Sequence, residues 1–197
     1  MDLIVRGGTI VDGSGMPAYR GDVGVSEGRI VAIGKISEKA RQEVDAEGQF
    51  VSPGFVNCHT HLDAQVNWDP LGTSTSWHGV TSVVLGNCGF TLAPGRSTEI
   101  DLALRSLERA EDIPREAVLQ GVDWQWETYA EYLETLDRLP KSMNYAGYIG
   151  HSALRAYVMG ERAFSEAATD DDISAMKREV ESAIRAGAVG FSTSRST

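Results

Sequence analysis

Two short stretches carry residues that bind metals or move protons. His59-Thr60-His61 closes the apolar run VSPGFVNCHTHLD, and Asn87-Cys88-Gly89 closes a second run, VTSVVLGNCGF. Residues two apart on a strand face the same way, so a strand running through both histidines presents their imidazoles side by side, where they can share one metal ion. Such a triplet also occurs by chance on ordinary surfaces, and spacing alone is weak grounds for ligation. The context strengthens it. Asp63 follows at once, a ligand type for zinc or a partner that orients a ligand. Cys88 stands between Asn and Gly at a strand end, where a thiol is less well buried than the usual free cysteine. Asn57 and Cys58 have no role that their position assigns.

The elements that must position these groups change character along the chain. Residues 1–49 hold short alternating runs, LIVRGGTIV, GDVGV, GRIVAIG and VDAEGQFV, punctuated by Gly, Asp, Ser and Pro. That pattern predicts a small antiparallel β domain with tight turns. From residue 50 to 197 the apolar runs lie further apart with helical sequence between them, the alternation of β/α units around a parallel sheet. Four strands are expected: Gln49 to Asn57, Val80 to Gly86, Met143 to Ile149 and Ala188 to Thr193. Helices are expected over Thr98 to Ala110, over Glu127 to Leu139 with Pro140 as the stop, and over residues 170 to 188. The last has Thr169 or Asp170 as N-cap, Ile173, Met176, Val180 and Ile184 at helical spacing, and Gly187 at its end. Trp124 and Trp126, ahead of the second helix, read as packing residues.

Composition narrows the classes. With 42% hydrophobic and 23% charged residues the 197-residue chain is globular in type, and no stretch approaches the roughly 20 apolar residues of a membrane span. The start, MDLIVRGGTIVDG, lacks the basic n-region and unbroken apolar stretch of a signal peptide, so a cytoplasmic protein with reduced thiols is expected. A formal charge of −10 argues against nucleic acid and anionic membranes as partners, since both require concentrated Lys and Arg.

At this point a family pattern is legible. HTHLDAQVNWDP followed by HGVTSVVLGNCGFTLAP resembles the N-acyl-D-amino-acid deacylase branch of the metal-dependent amidohydrolase superfamily. DLIVRGGTIVDGSG, DWQWETYAEYLETLD, NYAGYIGHSALR and GAVGFSTSR extend the resemblance in order over nearly the whole chain. It implies an α/β fold: the first half of a (β/α)8 barrel, preceded by the N-terminal part of a small β-sandwich domain. It implies Zn2+ as cofactor, at one tight site with room for a second, weaker one. His59 and His61 correspond to the metal histidines of the first barrel strand and Cys88 to the thiolate ligand that marks this branch. The implied substrate is a small N-acyl amino acid. At the strand ends where function gathers in such barrels, His151, Arg155, Ser192 and Arg195 are candidates for substrate contact, with Arg155 suited to a carboxylate. Ser194 could face the same pocket. His78 belongs to a helix-to-strand turn on the opposite face and reads as structural.

The resemblance also implies what this chain does not supply. Two further zinc histidines on later strands and a general acid–base Asp from the eighth strand have no counterpart here, because no His follows His151 and the sequence reaches only the fourth strand. Half a barrel exposes strand edges and apolar faces. The expectation is therefore the N-terminal portion of a longer enzyme, inactive alone and completed by the missing half or by a partner chain. Two rival readings stand beside it: a cyclic amidase of the hydantoinase or dihydroorotase type, which shares the His-x-His triplet but not the Asn-Cys-Gly context, and a non-catalytic half-barrel assembly module.

Overall fold

The structure, a computed structural model, describes residues 1–111 and 113–194. It divides into two compact units, Met1–Gly54 and Phe55–Thr197.

The first unit is a five-stranded sheet built on β1 (Leu3–Ile10). β2 (Tyr19–Ser26) pairs antiparallel with β1, and β3 (Arg29–Gly34) antiparallel with β2. The wholly antiparallel domain expected from the sequence is not what forms. β4 (Gln42–Asp45) and β5 (Phe50–Val51) both run parallel to β1, Leu3 opposite Gln42 and Thr9 opposite Phe50. The reason is the return segment after β3, which carries the chain back to the start of β1 before pairing begins. Arg6 fastens it, donating to Ile36 O and Glu38 O at 2.6 Å each. Ile4, Ile10, Val23, Ile36 and Ala46 form the buried side of this sheet.

The single strand expected over Gln49 to Asn57 is two. Pro53 has no N–H to give a ladder, and Ser52-Pro53-Gly54 interrupts the run. Phe50–Val51 therefore joins the first sheet, while Phe55–Thr60 becomes β6, the first strand of the second.

The second unit is a parallel sheet in sequential order, β6, β7 (Val80–Leu85), β8 (Asn144–Gly150) and β9 (Gly190–Ser192). A one-turn helix α1 (Leu62–Gln65) follows β6. The connection after β7 holds α2 (Ile100–Glu111), α3 (Arg115–Gly121) and α4 (Tyr129–Arg138). The connection after β8 holds α5 (His151–Met159), a 3-10 turn (Gly160–Phe164) and α6 (Asp170–Ala186). α4 and α6 are the crossover helices proper, each leading directly into the next strand. Both begin with a reciprocal cap: Thr128 with Glu131, and Thr169 with Asp172, bond one another's backbone N–H groups. Gly187 at φ +123° ends α6 as expected.

Val83, Leu85, Leu104, Val118, Tyr132, Leu136, Ile149 and Leu154 form the core between sheet and helices. α6 meets it through Met176, Val180 and Ala183, whereas Ile173 and Ile184, expected on the same stripe, lie at its ends and are exposed. α3 and α5 carry no clear signal in the sequence: each is shorter than three turns, too short for a periodicity to register. Among the described residues β6 and β9 are the sheet's two edges, and Phe55 and Val56 on β6 are 62% and 64% exposed. No helix among the described residues is long and apolar enough to cross a membrane.

Candidate metal centre

All four strands of the second sheet point their carboxyl ends the same way, and the chemistry-bearing residues gather there. His59 is the fifth residue of β6. His61 lies one step beyond the strand, as the residue before α1, with φ −112° and ψ 35°. The same-face argument for an extended His-x-His therefore does not describe the backbone at His61, yet the rings still converge, with centroids 5.9 Å apart. Thr60 holds this strand end in place by donating to Val84 O on β7 at 3.2 Å.

Cys88 is presented by a tight turn. Gly89 N–H donates to Gly86 O at 3.1 Å, and Gly86 and Gly89 sit at φ +69° and +89°, a region that L side chains rarely adopt. Contrary to the less buried thiol expected from its Asn and Gly neighbours, the turn buries Cys88, and it brings Sγ to 3.5 Å from His61 Nε2. The ligand atoms of His59, His61 and Cys88 all lie within 4.8 Å of one another, the one such cluster of metal-binding side chains among the described residues. A tetrahedral zinc with bonds near 2.1 Å to nitrogen and 2.3 Å to sulfur spaces an N and an S ligand about 3.6 Å apart. The Cys88–His61 separation matches that edge, and two imidazoles with one thiol form a borderline-soft donor set suited to zinc.

Four hydrogen bonds from three elements brace the turn. From β6, Cys58 O accepts from Asn87 Nδ2 at 3.0 Å. From β9 and just beyond it, Ser192 Oγ donates to Gly86 O and Ser194 Oγ to Cys88 O, each at 2.5 Å. From the start of α5, Ser152 N–H donates to Gly89 O at 3.0 Å. Trp126 and Trp124, expected as packing residues, stack at 4.6 Å and donate to Leu92 O and Gly95 O, fixing the segment that leaves the turn.

The remaining sequence candidates fall in several places. His151 is the first residue of α5, with Nδ1 2.9 Å from Thr193 Oγ1 and its ring edge-on to Phe191. Burial, and then the nearby charge of Arg155, lower its pKa below the ordinary value. Arg155 itself donates to Ala163 O and Glu166 O at 2.9 Å, clasping the segment after α5. Ser192 is buried and its hydroxyl serves Gly86. Arg195 lies outside the described residues. Asp63 is buried in α1 next to Tyr129 and Tyr132, whose phenol pKa values are raised first by burial and then by the Asp63 charge. His78, exposed in a 3-10 turn before β7, is at the opposite strand end. A cleft of about 600 Å³ beside α2, lined by Phe90, Arg105, Arg109 and Phe164 among others, includes none of the trio.

Sequence reasoning gives no role to Asn87, Thr193 or Thr60, which the structure uses to hold the site. Their common signal is position: each is polar and lies within two residues of the end of a strand.

With this geometry in hand, the comparisons with known proteins are specific. Residues 42–197 match the model of the Amidohydrolase family. The chain is 40% identical over 193 residues to D-aminoacylase of Alcaligenes xylosoxydans xylosoxydans, a match that covers 98% of this chain and 37% of that protein. A crystal structure of D-aminoacylase superposes with a TM-score of 0.83 at 37% identity, covering 98% of this chain and 38% of the other. N-acyl-D-glutamate deacylase from Bordetella bronchiseptica, solved with zinc and a phosphonate mimic of the tetrahedral intermediate, gives a TM-score of 0.76 at 32% identity with the same coverage, 98% and 38%. The chain thus spans 37–38% of the length of these relatives. A family match over most of its residues, joined to this parallel half-barrel sheet, makes the chain a member of the amidohydrolase family.

Proposed function

We propose that this chain carries the first metal ligands of a zinc-dependent deacylase that hydrolyses the amide bond of N-acyl-D-amino acids to a carboxylate and a D-amino acid. The observation that supports it most is the convergence of His59, His61 and Cys88 within 4.8 Å at the carboxyl ends of adjacent parallel strands, where barrel enzymes assemble their chemistry. In this reading the two units are the first part of a small β domain and the first half of the barrel domain. The remaining ligands and the proton-transferring carboxylate belong to polypeptide outside this chain.

His59 and His61 would ligate through neutral imidazole and Cys88 through its thiolate, so binding releases the thiol proton. A zinc ion held there would supply Lewis-acid and water-activating chemistry for amide hydrolysis. The turn at Gly86–Gly89 keeps the sulfur on the histidine side of the strand end. His151, with one ring nitrogen against Thr193 and its pKa lowered, enters as a neutral group that orients substrate by hydrogen bonding. Arg155 and Ser192 already serve backbone carbonyls, so their weight as substrate contacts is smaller than their sequence positions imply.

The test is to purify the full-length protein, measure its zinc, and compare hydrolysis of N-acetyl-D-leucine, N-acetyl-L-leucine and a hydantoin. Zinc bound with turnover of the D-acyl substrate alone is the expected result. Turnover of the hydantoin would favour the cyclic amidase, and neither zinc nor turnover would leave an assembly module.

A further inference from the structure

The hydroxyls of Ser192 and Ser194 form a two-rung clamp that reaches across a strand. β7 and β9 are not neighbours in the sheet, since β8 lies between them. Nevertheless Ser192 Oγ donates to Gly86 O and Ser194 Oγ to Cys88 O, both at 2.5 Å. Donors two residues apart meet acceptors two residues apart, and residues two apart on an extended chain share a face. The register is that of a strand pair, made by side chains instead of backbone.

Two glycines allow the turn to cross β8. A Cβ on Gly150, the last residue of β8, would stand 2.6 Å from Gly89 O, and one on Gly89 would stand 3.0 Å from Thr193 Cα. With neither present, the turn bends over the end of β8 and rests on the segment leaving β9. On its other flank the same turn is tied to β6 through Asn87 and Cys58. The turn is therefore held from both sides, through Asn87 on one and through the carbonyls of Gly86 and Cys88 on the other.

We propose that Ser192 and Ser194 are positioning residues for the metal thiolate: by fixing the carbonyls of Gly86 and Cys88 they set where the sulfur stands relative to His61. The inference rests on the reading of Cys88 as a metal ligand. It assigns to the Ser-Thr-Ser segment a task other than substrate contact, and it makes the first and fourth β/α units jointly responsible for one ligand. Loss of either hydroxyl removes a tie that reaches across β8 and gives the peptide that carries Cys88 more freedom to rotate. Groups that orient ligands in this way typically carry 10–100-fold of metal affinity. Ser194 is exposed at the end of the sheet, so its hydroxyl can be removed without opening the core.

The experiment uses the full-length protein loaded with Co2+, whose thiolate-to-metal absorption in the near ultraviolet reports the sulfur directly. Affinity is read by competition with a chelator. Cys88→Ala should abolish that absorption; if it persists, Cys88 is not a ligand and the underlying reading fails, separately from the clamp. Given a Cys88-dependent band, Ser194→Ala should weaken Co2+ binding about 10-fold or more and alter the band. Ser194→Thr, which keeps the hydroxyl, should stay within about 3-fold of the parent. Ser192→Ala should act in the same direction. Parental affinity and an unchanged band in both alanine variants would overturn the proposal, as would a threonine variant as weak as the alanine one. Should Ser192→Ala fail to fold, the Ser194 pair decides alone.

Discussion

Cys88 Sγ lies 3.5 Å from His61 Nε2, although the two residues are 27 positions apart in sequence and follow the ends of different strands. On the proposed reading, a metal held by both side chains would act as a folding ligand. Zinc at about 100 times its dissociation constant should stabilise the protein by about 2.7 kcal/mol, read as a rise in thermal midpoint. Chelation should reverse the rise, and Cys88→Ala should remove the response. A midpoint indifferent to zinc in the parent protein would count against the cluster as a metal site.

Gly89 and Gly79 have similar backbone angles, φ +89° and +80°, but different surroundings. A Cβ on Gly79 meets only Phe55 at 3.5 Å, an ordinary contact, while one on Gly89 meets the Thr193 backbone at 3.0 Å. Gly79→Ala should cost about 1 kcal/mol for the left-handed conformation alone. Gly89→Ala should cost about 1–3 kcal/mol and weaken metal binding as well. Urea midpoints for the two variants check the order, which the geometry requires to be Gly89 above Gly79.

Trp126 is almost wholly buried, and its indole N–H donates to Leu92 O at 3.1 Å. Trp126→Phe keeps an aromatic ring beside Trp124 but leaves that carbonyl without its donor, at a cost of about 1–3 kcal/mol. The same variant should leave zinc affinity closer to the parent than Gly89→Ala does, because Leu92 lies four residues beyond Cys88. Denaturant melts and chelator competition on one preparation test both halves of this statement.

His151 supplies a pH dependence with a definite sign. Its pKa is lowered in the fold by burial and then by Arg155, so the unfolded chain binds its proton more readily. Above the ordinary histidine value of about 6.5 the full stability is present. It is lost as pH falls from there through the folded-state pKa. His151→Gln should flatten stability on that acid limb and leave the neutral plateau in place, which melts between about pH 5 and 8 will show.

Thr169 caps α6, its hydroxyl accepting from Asp172 N–H at 3.2 Å and the Asp172 carboxylate accepting in return. Thr169→Ala should cost about 1 kcal/mol, whereas Thr169→Ser or Asn should cost much less. Those bonds from Thr169 also hold the Asp172 pKa below the usual carboxylate range. Capping therefore stabilises above the ordinary Asp value of about 3.9 and is lost as pH falls through the lower folded value.

Much of the fold is legible in the residues alone. Thr169 and Gly187 bound α6 where capping chemistry calls for them, and Pro140 follows the end of α4, although the Thr128 cap lies one residue inside the start expected from the sequence. The bounds of β7 and β8 differ from those expected by a single residue. Other features are not legible because no local rule encodes them. The parallel pairing of β4 depends on where the return segment sends the chain. The break at Pro53 is hidden by apolar residues on both sides. α5 is too short to show a period.

For the site, the sequence by itself determined which residues are able to hold a metal: two histidines and a cysteine, each at the end of an apolar run, are fixed by type and by strand length. Tertiary structure alone decided that they meet. His61 leaves the strand, Cys88 is turned inward by two glycines in left-handed conformation, and the serines at the end of β9 donate to carbonyls of the thiol's own loop. The physical reason is that a ligand set is a matter of distances below about 4 Å between segments far apart in sequence. Such distances arise only when sheet order, glycine contacts and long-range hydrogen bonds act on the same few residues.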